Sequence, residues 1–138
     1  MIFRLLVSLV IFSFLSITLN SLNASELISF NDNFDRCKFN TNCIIQRWEV
    51  KDPEKAFYDL IDILENTPRL KIIEKDNKYV HALVKSRIMK YIDDLEVKFS
   101  PEEGTIQIKS ASRSGIYDLG VNKRRVETIH FRLIDIYN

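Results

Sequence analysis

Between Leu70 and Ser112 apolar residues recur at every second position, and on either side of that stretch they recur at helical spacing. This switch of period constrains the fold more than any other feature of the chain. A period of two sends alternate side chains to opposite faces of a sheet, so the segment has one apolar face that another layer must cover. Leu70 to Lys75 and Lys78 to Lys85 read as strands joined at Asp76-Asn77, a polar pair suited to a tight hairpin turn. In the second of these Val80, Ala82 and Val84 share one face, leaving Tyr79, His81, Leu83 and Lys85 on the other. A third strand covers Tyr91 to Phe99, with Leu95, Val97 and Phe99 inward and Asp94, Glu96 and Lys98 outward. After a turn at Ser100-Pro101-Glu102-Glu103-Gly104, a fourth strand from Thr105 to Ser112 points Ile106 and Ile108 inward and continues that face through Ser110 and Ser112.

Asp52-Pro53 starts a helix, because an oxygen-bearing cap precedes a proline at the first helical position, where its missing N–H costs nothing. Phe57, Leu60, Ile61 and Leu64 form its apolar stripe, and Thr67-Pro68 ends it near Asn66. A second helical pattern begins near Asn122, a plausible cap, with Val126, Ile129, Leu133 and Ile136 on one face. The order helix, four strands, helix predicts an α+β domain: one antiparallel sheet with both helices on one face and a more polar face left open.

Residues Met1 to Ala24 differ in kind, with one charge at Arg4 and an apolar run from Leu5 to Leu19 broken only by Ser and Thr. That is a secretory signal pattern, shorter than the roughly 20 apolar residues a membrane span needs. Cleavage after Ala24 is expected, leaving residues 25–138 as a single domain; the alternative is an uncleaved amino-terminal anchor, through which alone a membrane is an expected partner. The expected location is therefore the bacterial periplasm or cell envelope. The chain has 20 basic and 19 acidic side chains, and loss of Arg4 leaves 19 of each, so nucleic acid is not an expected partner. The two cysteines, Cys37 and Cys43 in CKFNTNC, read as a local disulfide in an exported chain. Zinc is the rival reading, but His81 and His130 lie far away in sequence, and neither a metal nor a cofactor is expected.

The run Ser110 to Arg125, SASRSGIYDLGVNKRR, concentrates small, polar and cationic residues with Gly115 and Gly120. Ser86-Arg87 and Asp93-Asp94 lie upstream, and folding should bring the two groups together. The candidate ligand-binding patch is Ser86, Arg87, Asp93, Asp94, Ser110, Ser112, Arg113, Asp118, Asn122, Arg124 and Arg125. Arginine forks suit carboxylate or phosphate, and the aspartates are their internal counterions. Two roles stay open. In one, Arg113 and Arg87 pair with Asp94 and Asp118, the serines bond to backbone and the glycines only permit unusual backbone angles. In the other, an arginine aims a spare fork into a cleft beside the N–H groups that open the last helix, a favourable place for an anion.

Ser110, Ser112 and Ser114 sit in no nucleophile elbow, and His81 is their one plausible base, so a serine hydrolase is disfavoured. Asp93, Asp94 and Asp118 could hold a divalent cation, but adjacent aspartates on a strand point to opposite faces. His130 reads as a helix-surface residue and Trp48 as a packing anchor.

Cys37 through Cys43, Asp52-Pro53, Tyr79, Ser86-Arg87, Asp93-Asp94-Leu95-Glu96, SASRSG at 110–115, DLGVN at 118–122 and Arg124-Arg125 together resemble domain-of-unknown-function family 1499. The chain departs from the family pattern at Lys38 and at Ile44-Ile45, beside the cysteines. The resemblance implies a secreted or lumenal domain, as in bacterial envelope and plastid proteins, and supplies no substrate. The expected function is a non-catalytic envelope domain that binds an anionic or polar ligand, or an envelope protein, through the Arg/Asp/Ser patch. The alternatives are a hydrolase or metal-dependent enzyme of the same compartment, and a protein-interaction module using the open sheet face, where Tyr79 and Leu83 would be exposed.

Overall fold

The structure, a computed structural model, describes residues 34–87 and 90–138; the signal segment expected at 1–24 lies outside the described residues. Phe34–Asn138 forms one compact unit. Its elements run β1 (Cys43–Glu49), α1 (Pro53–Glu65), β2 (Leu70–Lys75), β3 (Tyr79–Lys85), β4 (Ile92–Ser100), β5 (Thr105–Ser112) and α2 (Val121–Asp135). The strands make one antiparallel sheet in the order β1-β5-β4-β3-β2.

β2 to β5 form a meander, as expected from hairpin-length connections. The fifth strand, β1, was not anticipated. It pairs along β5 from Cys43 opposite Ala111 to Glu49 opposite Thr105. Its sequence, CIIQRWE, lacks clean alternation because it is an edge strand whose residues, apart from Trp48, are only half covered or exposed. The local signal was therefore weak and the pairing distant in sequence. α1 connects the two edge strands, β1 and β2, which lie at opposite sides of the sheet.

One core holds the layers together. Val80, Ala82, Val84, Leu95, Val97, Phe99, Ile106 and Ile108 cover one sheet face and meet Phe57, Leu60, Ile61 and Leu64 of α1 and Val126, Ile129 and Leu133 of α2. The Phe57 and Phe99 rings stack at 4.9 Å, tying α1 to the sheet. The cap of α1 forms as expected: Asp52 Oδ1 accepts from the Lys55 N–H at 3.2 Å. Trp48 is buried and stacks on His130 at 4.4 Å with the rings 10° from parallel. His130 is thus a half-buried packing partner rather than the helix-surface residue expected, because β1 places an indole beneath it. Tyr79 and Leu83 on the other sheet face are likewise half-buried rather than exposed. The Tyr79 hydroxyl donates to Glu96 at 2.7 Å.

Candidate functional site

β4 and β5 pair Asp93 with Ser112, Asp94 with Ala111 and Leu95 with Ser110, so the two polar groups of the sequence meet at one end of the sheet. The pleat then divides them, since neighbouring residues on a strand point to opposite faces.

On the helix face, Asp93 and Arg125 form a pair with Oδ2 to Nη2 at 2.7 Å and side chains only 5% and 11% exposed. Arg125 Nη1 also donates to Ser110 Oγ at 2.8 Å and Asn122 Oδ1 at 2.6 Å. Ser110 donates to the same Asn122 oxygen at 2.5 Å. The Asn122 Nδ2 group is shared among the Asn42 carbonyl at 3.0 Å, Ser112 Oγ at 3.0 Å and Asp118 Oδ2 at 2.7 Å. Every partner in this cluster is internal. It satisfies charges and amides that could not otherwise be kept from water.

Asn122 was expected to cap α2. Instead Gly120, at φ 75°, occupies the cap position, and the cap bonds come from Asp118. The Asp118 carboxylate accepts from the Gly120 N–H at 2.8 Å and the Asn122 N–H at 2.9 Å. Burial works against its charge, but these N–H donors outweigh that and hold its pKa below the usual carboxylate value. The anion position at the opening of the last helix is therefore filled by the chain's own carboxylate. Among the described residues Asp118 is in no ion pair, so the Arg87–Asp118 pairing of the first role does not form.

On the opposite face Arg113 grips Asp94 with two bonds, Nε to Oδ2 and Nη2 to Oδ1, both 2.8 Å. His81 Nε2 lies 2.7 Å from the same Oδ1. The Arg113 bonds chiefly, and His81 after them, depress the Asp94 pKa against the opposing effect of burial. The expected Arg113–Asp94 pair is thus present, and its fork is occupied rather than spare. His81 and the core-facing Ser110 and Ser112 lie on opposite faces, so neither of these two serines meets His81.

Beside the buried cluster lies an open groove of about 850 Å³, bounded by the end of α1, the β3–β4 connection, the loop after β5 and the side of α2. Of the expected patch, Ser86, Arg87, Asp93, Ser112, Asp118, Arg124 and Arg125 line it, whereas Asp94, Ser110, Arg113 and Asn122 do not. Ser86 closes the β3–β4 connection, its hydroxyl accepting from the Tyr91 N–H at 2.9 Å. Arg124 donates to the Leu119 carbonyl at 2.9 Å.

Sequence reasoning missed the groove's other cations, Arg69, Lys85 and Arg132. The hairpin register was a usable signal for two of them. Leu70 stands opposite Val84, and the Lys85 N–H bonds the Arg69 carbonyl at 2.9 Å, so the hairpin brings those two cations side by side. Arg132 donates to Thr67 Oγ1 at 2.8 Å, and no local pattern announces that helix-to-loop contact. Six cationic residues thus face two carboxylates, Asp93 and Asp118, both already engaged. Among the described residues, Arg69, Lys85 and Arg87 make no ion pair.

The expected disulfide joins Cys37 to Cys43, with Cα atoms 5.6 Å apart. The loop it closes clamps the segment after β5. The Asn42 side chain donates to the Gly115 carbonyl at 2.6 Å, the Asn42 carbonyl accepts from the Ser112 N–H at 3.0 Å, and the Thr41 carbonyl accepts from the Asp118 N–H at 3.1 Å. The Thr41 hydroxyl donates to the Ile116 carbonyl.

Fold and site together define a disulfide-clamped α+β domain, with a buried Asp–Arg–Asn–Ser cluster beside a cation-lined groove. The family model for DUF1499, proteins of unknown function, matches residues 18–133, and the chain belongs to that family. No curated protein matches the chain.

Proposed function

We propose that the chain is an exported, non-catalytic binding domain of the cell envelope, and that it takes an anionic ligand in the groove between the β3–β4 connection and α2. The observation that carries this reading is the imbalance of charge: six cations line the groove against two carboxylates, of which Asp93 is paired with Arg125 and Asp118 accepts from backbone N–H groups. Arg69, Lys85 and Arg87 supply the free charge. The buried Asp93–Arg125–Asn122 cluster is the rigid floor on which the cations stand, and its own groups are not ligands. Arginine forks favour phosphate or carboxylate over halide, because both offer two coplanar acceptors to a planar donor pair. Export is supported by the apolar leader and by the Cys37–Cys43 disulfide, a pairing suited to an oxidising compartment.

The test is a thermal-shift series on the oxidised chain with glycerol phosphate, inorganic phosphate and dicarboxylates. A ligand that binds only the folded state raises the melting temperature. One of these anions should do so in the wild type, and the rise should vanish in Arg69→Ala combined with Arg87→Ala. If no anion moves the wild-type melt, or the double variant responds equally, the groove is not an anion site.

A further inference from the structure

We propose that the 116–121 loop and the groove beside it form one docking surface for an anionic lipid membrane, with the loop's apolar side chains entering the headgroup layer and the groove's cations meeting lipid phosphates. This rests on the anion-binding reading of the groove and names the source of the anion.

Ile116, Tyr117 and Leu119 are 64%, 68% and 72% exposed, three large apolar side chains within four residues. Isolated exposed hydrophobics are ordinary, but a contiguous group is the mark of an interaction surface. The loop that carries them is pinned. Its carbonyls at Gly115 and Ile116 are held by Asn42 and Thr41, its Asp118 N–H by the Thr41 carbonyl, and its Leu119 carbonyl by Arg124. Leu119 sits at φ 56°, a left-handed conformation that leucine resists, and its side chain buries little in return. A backbone held in an unfavourable angle to keep a leucine in water points outward, to something the leucine meets there.

Charge decides what that is. Tyr117, Leu119 and Val121 line the same groove as Arg69, Arg87 and Arg124, so apolar tip and cations form one surface. Tyr91, also exposed, adds a second phenol to the groove wall. Tyrosines favour the membrane–water interface, and cations beside an apolar insertion select anionic headgroups.

The experiment uses the processed chain recovered from the export compartment, its N-terminus read by mass spectrometry. Sedimentation with phosphatidylglycerol vesicles and with phosphatidylcholine vesicles measures partitioning. Binding should be stronger to the anionic vesicles and weaken with added salt. Tyr117→Ser with Leu119→Asn should lower partitioning about tenfold or more, since removing two inserted side chains costs at least that factor. Ile116→Ser, which lies outside the groove lining, should keep the wild-type thermal shift with glycerol phosphate, which needs only the cations. The same change leaves the left-handed position untouched, should also weaken vesicle binding and serves if the double variant does not fold. Equal binding to both vesicles, or undiminished binding by the loop variants, overturns the membrane surface. So does a wild type that responds to glycerol phosphate but ignores anionic vesicles, an outcome that leaves the groove reading standing. A wild type that responds to neither overturns both.

Discussion

Replacing Arg125 by Met keeps the bulk of the side chain along α2 but strands the Asp93 carboxylate, which is 5% exposed and pairs with Arg125 at 2.7 Å. The same change removes the donor that Ser110 Oγ and Asn122 Oδ1 share. Breaking a buried pair from one side costs about 3–5 kcal/mol, chiefly because the remaining charge has lost its counterion. A domain of this size has a total stability of about 5–15 kcal/mol, so the loss is a large share of it. At about 4 °C or more per kcal/mol, the melting temperature should fall by about 12 °C or more. Urea and thermal unfolding, followed by Trp48 fluorescence and far-ultraviolet circular dichroism, measure it. Adding Asp93→Asn to Arg125→Met removes the stranded charge and should recover part of the loss, a coupling that a double-mutant cycle isolates. By contrast Arg87→Ala, an exposed groove cation, should stay within about 0.5 kcal/mol of wild type. A cost for Arg125→Met below about 1 kcal/mol, or no recovery from Asp93→Asn, would refute the assignment of the cluster as the structural floor of the groove.

Leu119→Asn should leave the fold intact and stabilise it by up to about 1 kcal/mol, because asparagine tolerates the left-handed angle that leucine resists; a lower melting temperature would show that the leucine side chain packs in solution. Reducing Cys37–Cys43, or replacing both by Ser, should cost about 2 kcal/mol for so short a loop. It should also release the amides of Ser112 and Asp118, which donate to Asn42 and Thr41, so faster hydrogen exchange at those two positions checks the clamp. Burial against Trp48 lowers the His130 pKa from 6.5. A depressed folded-state pKa makes its contribution to stability full above pH 6.5 and lost as pH falls through the folded value. His130→Phe should therefore flatten part of the acid-side fall in melting temperature below pH 6.5, and an unchanged profile would count against that packing.

The sequence by itself determined the elements whose pattern is local. The alternation from Leu70 to Ser112 and the stripes of Phe57-Leu60-Ile61-Leu64 and Val126-Ile129-Leu133 set the meander, both helices and the faces they bury, whereas Ile136, expected on the second stripe, lies past the end of α2 and is exposed. Alternation also separated Asp93 from Asp94, and the spacing of the only two cysteines set their pairing. Tertiary structure decided the rest. β1 became a strand because β5 offered it an edge, and Trp48 then turned His130 from a surface residue into a stacking partner. Asp118, not Asn122, supplied the cap bonds of α2, because Asn122 was drawn into bonds with Ser110 and Ser112 of β5, Asn42 of the cysteine loop and Arg125 of its own helix. The groove itself is made by the end of α1, the β3–β4 connection and α2, which meet only when the sheet and helices pack. Period reports which face a residue turns to the core, whereas the partner a polar side chain finds depends on distances between segments that no local pattern encodes.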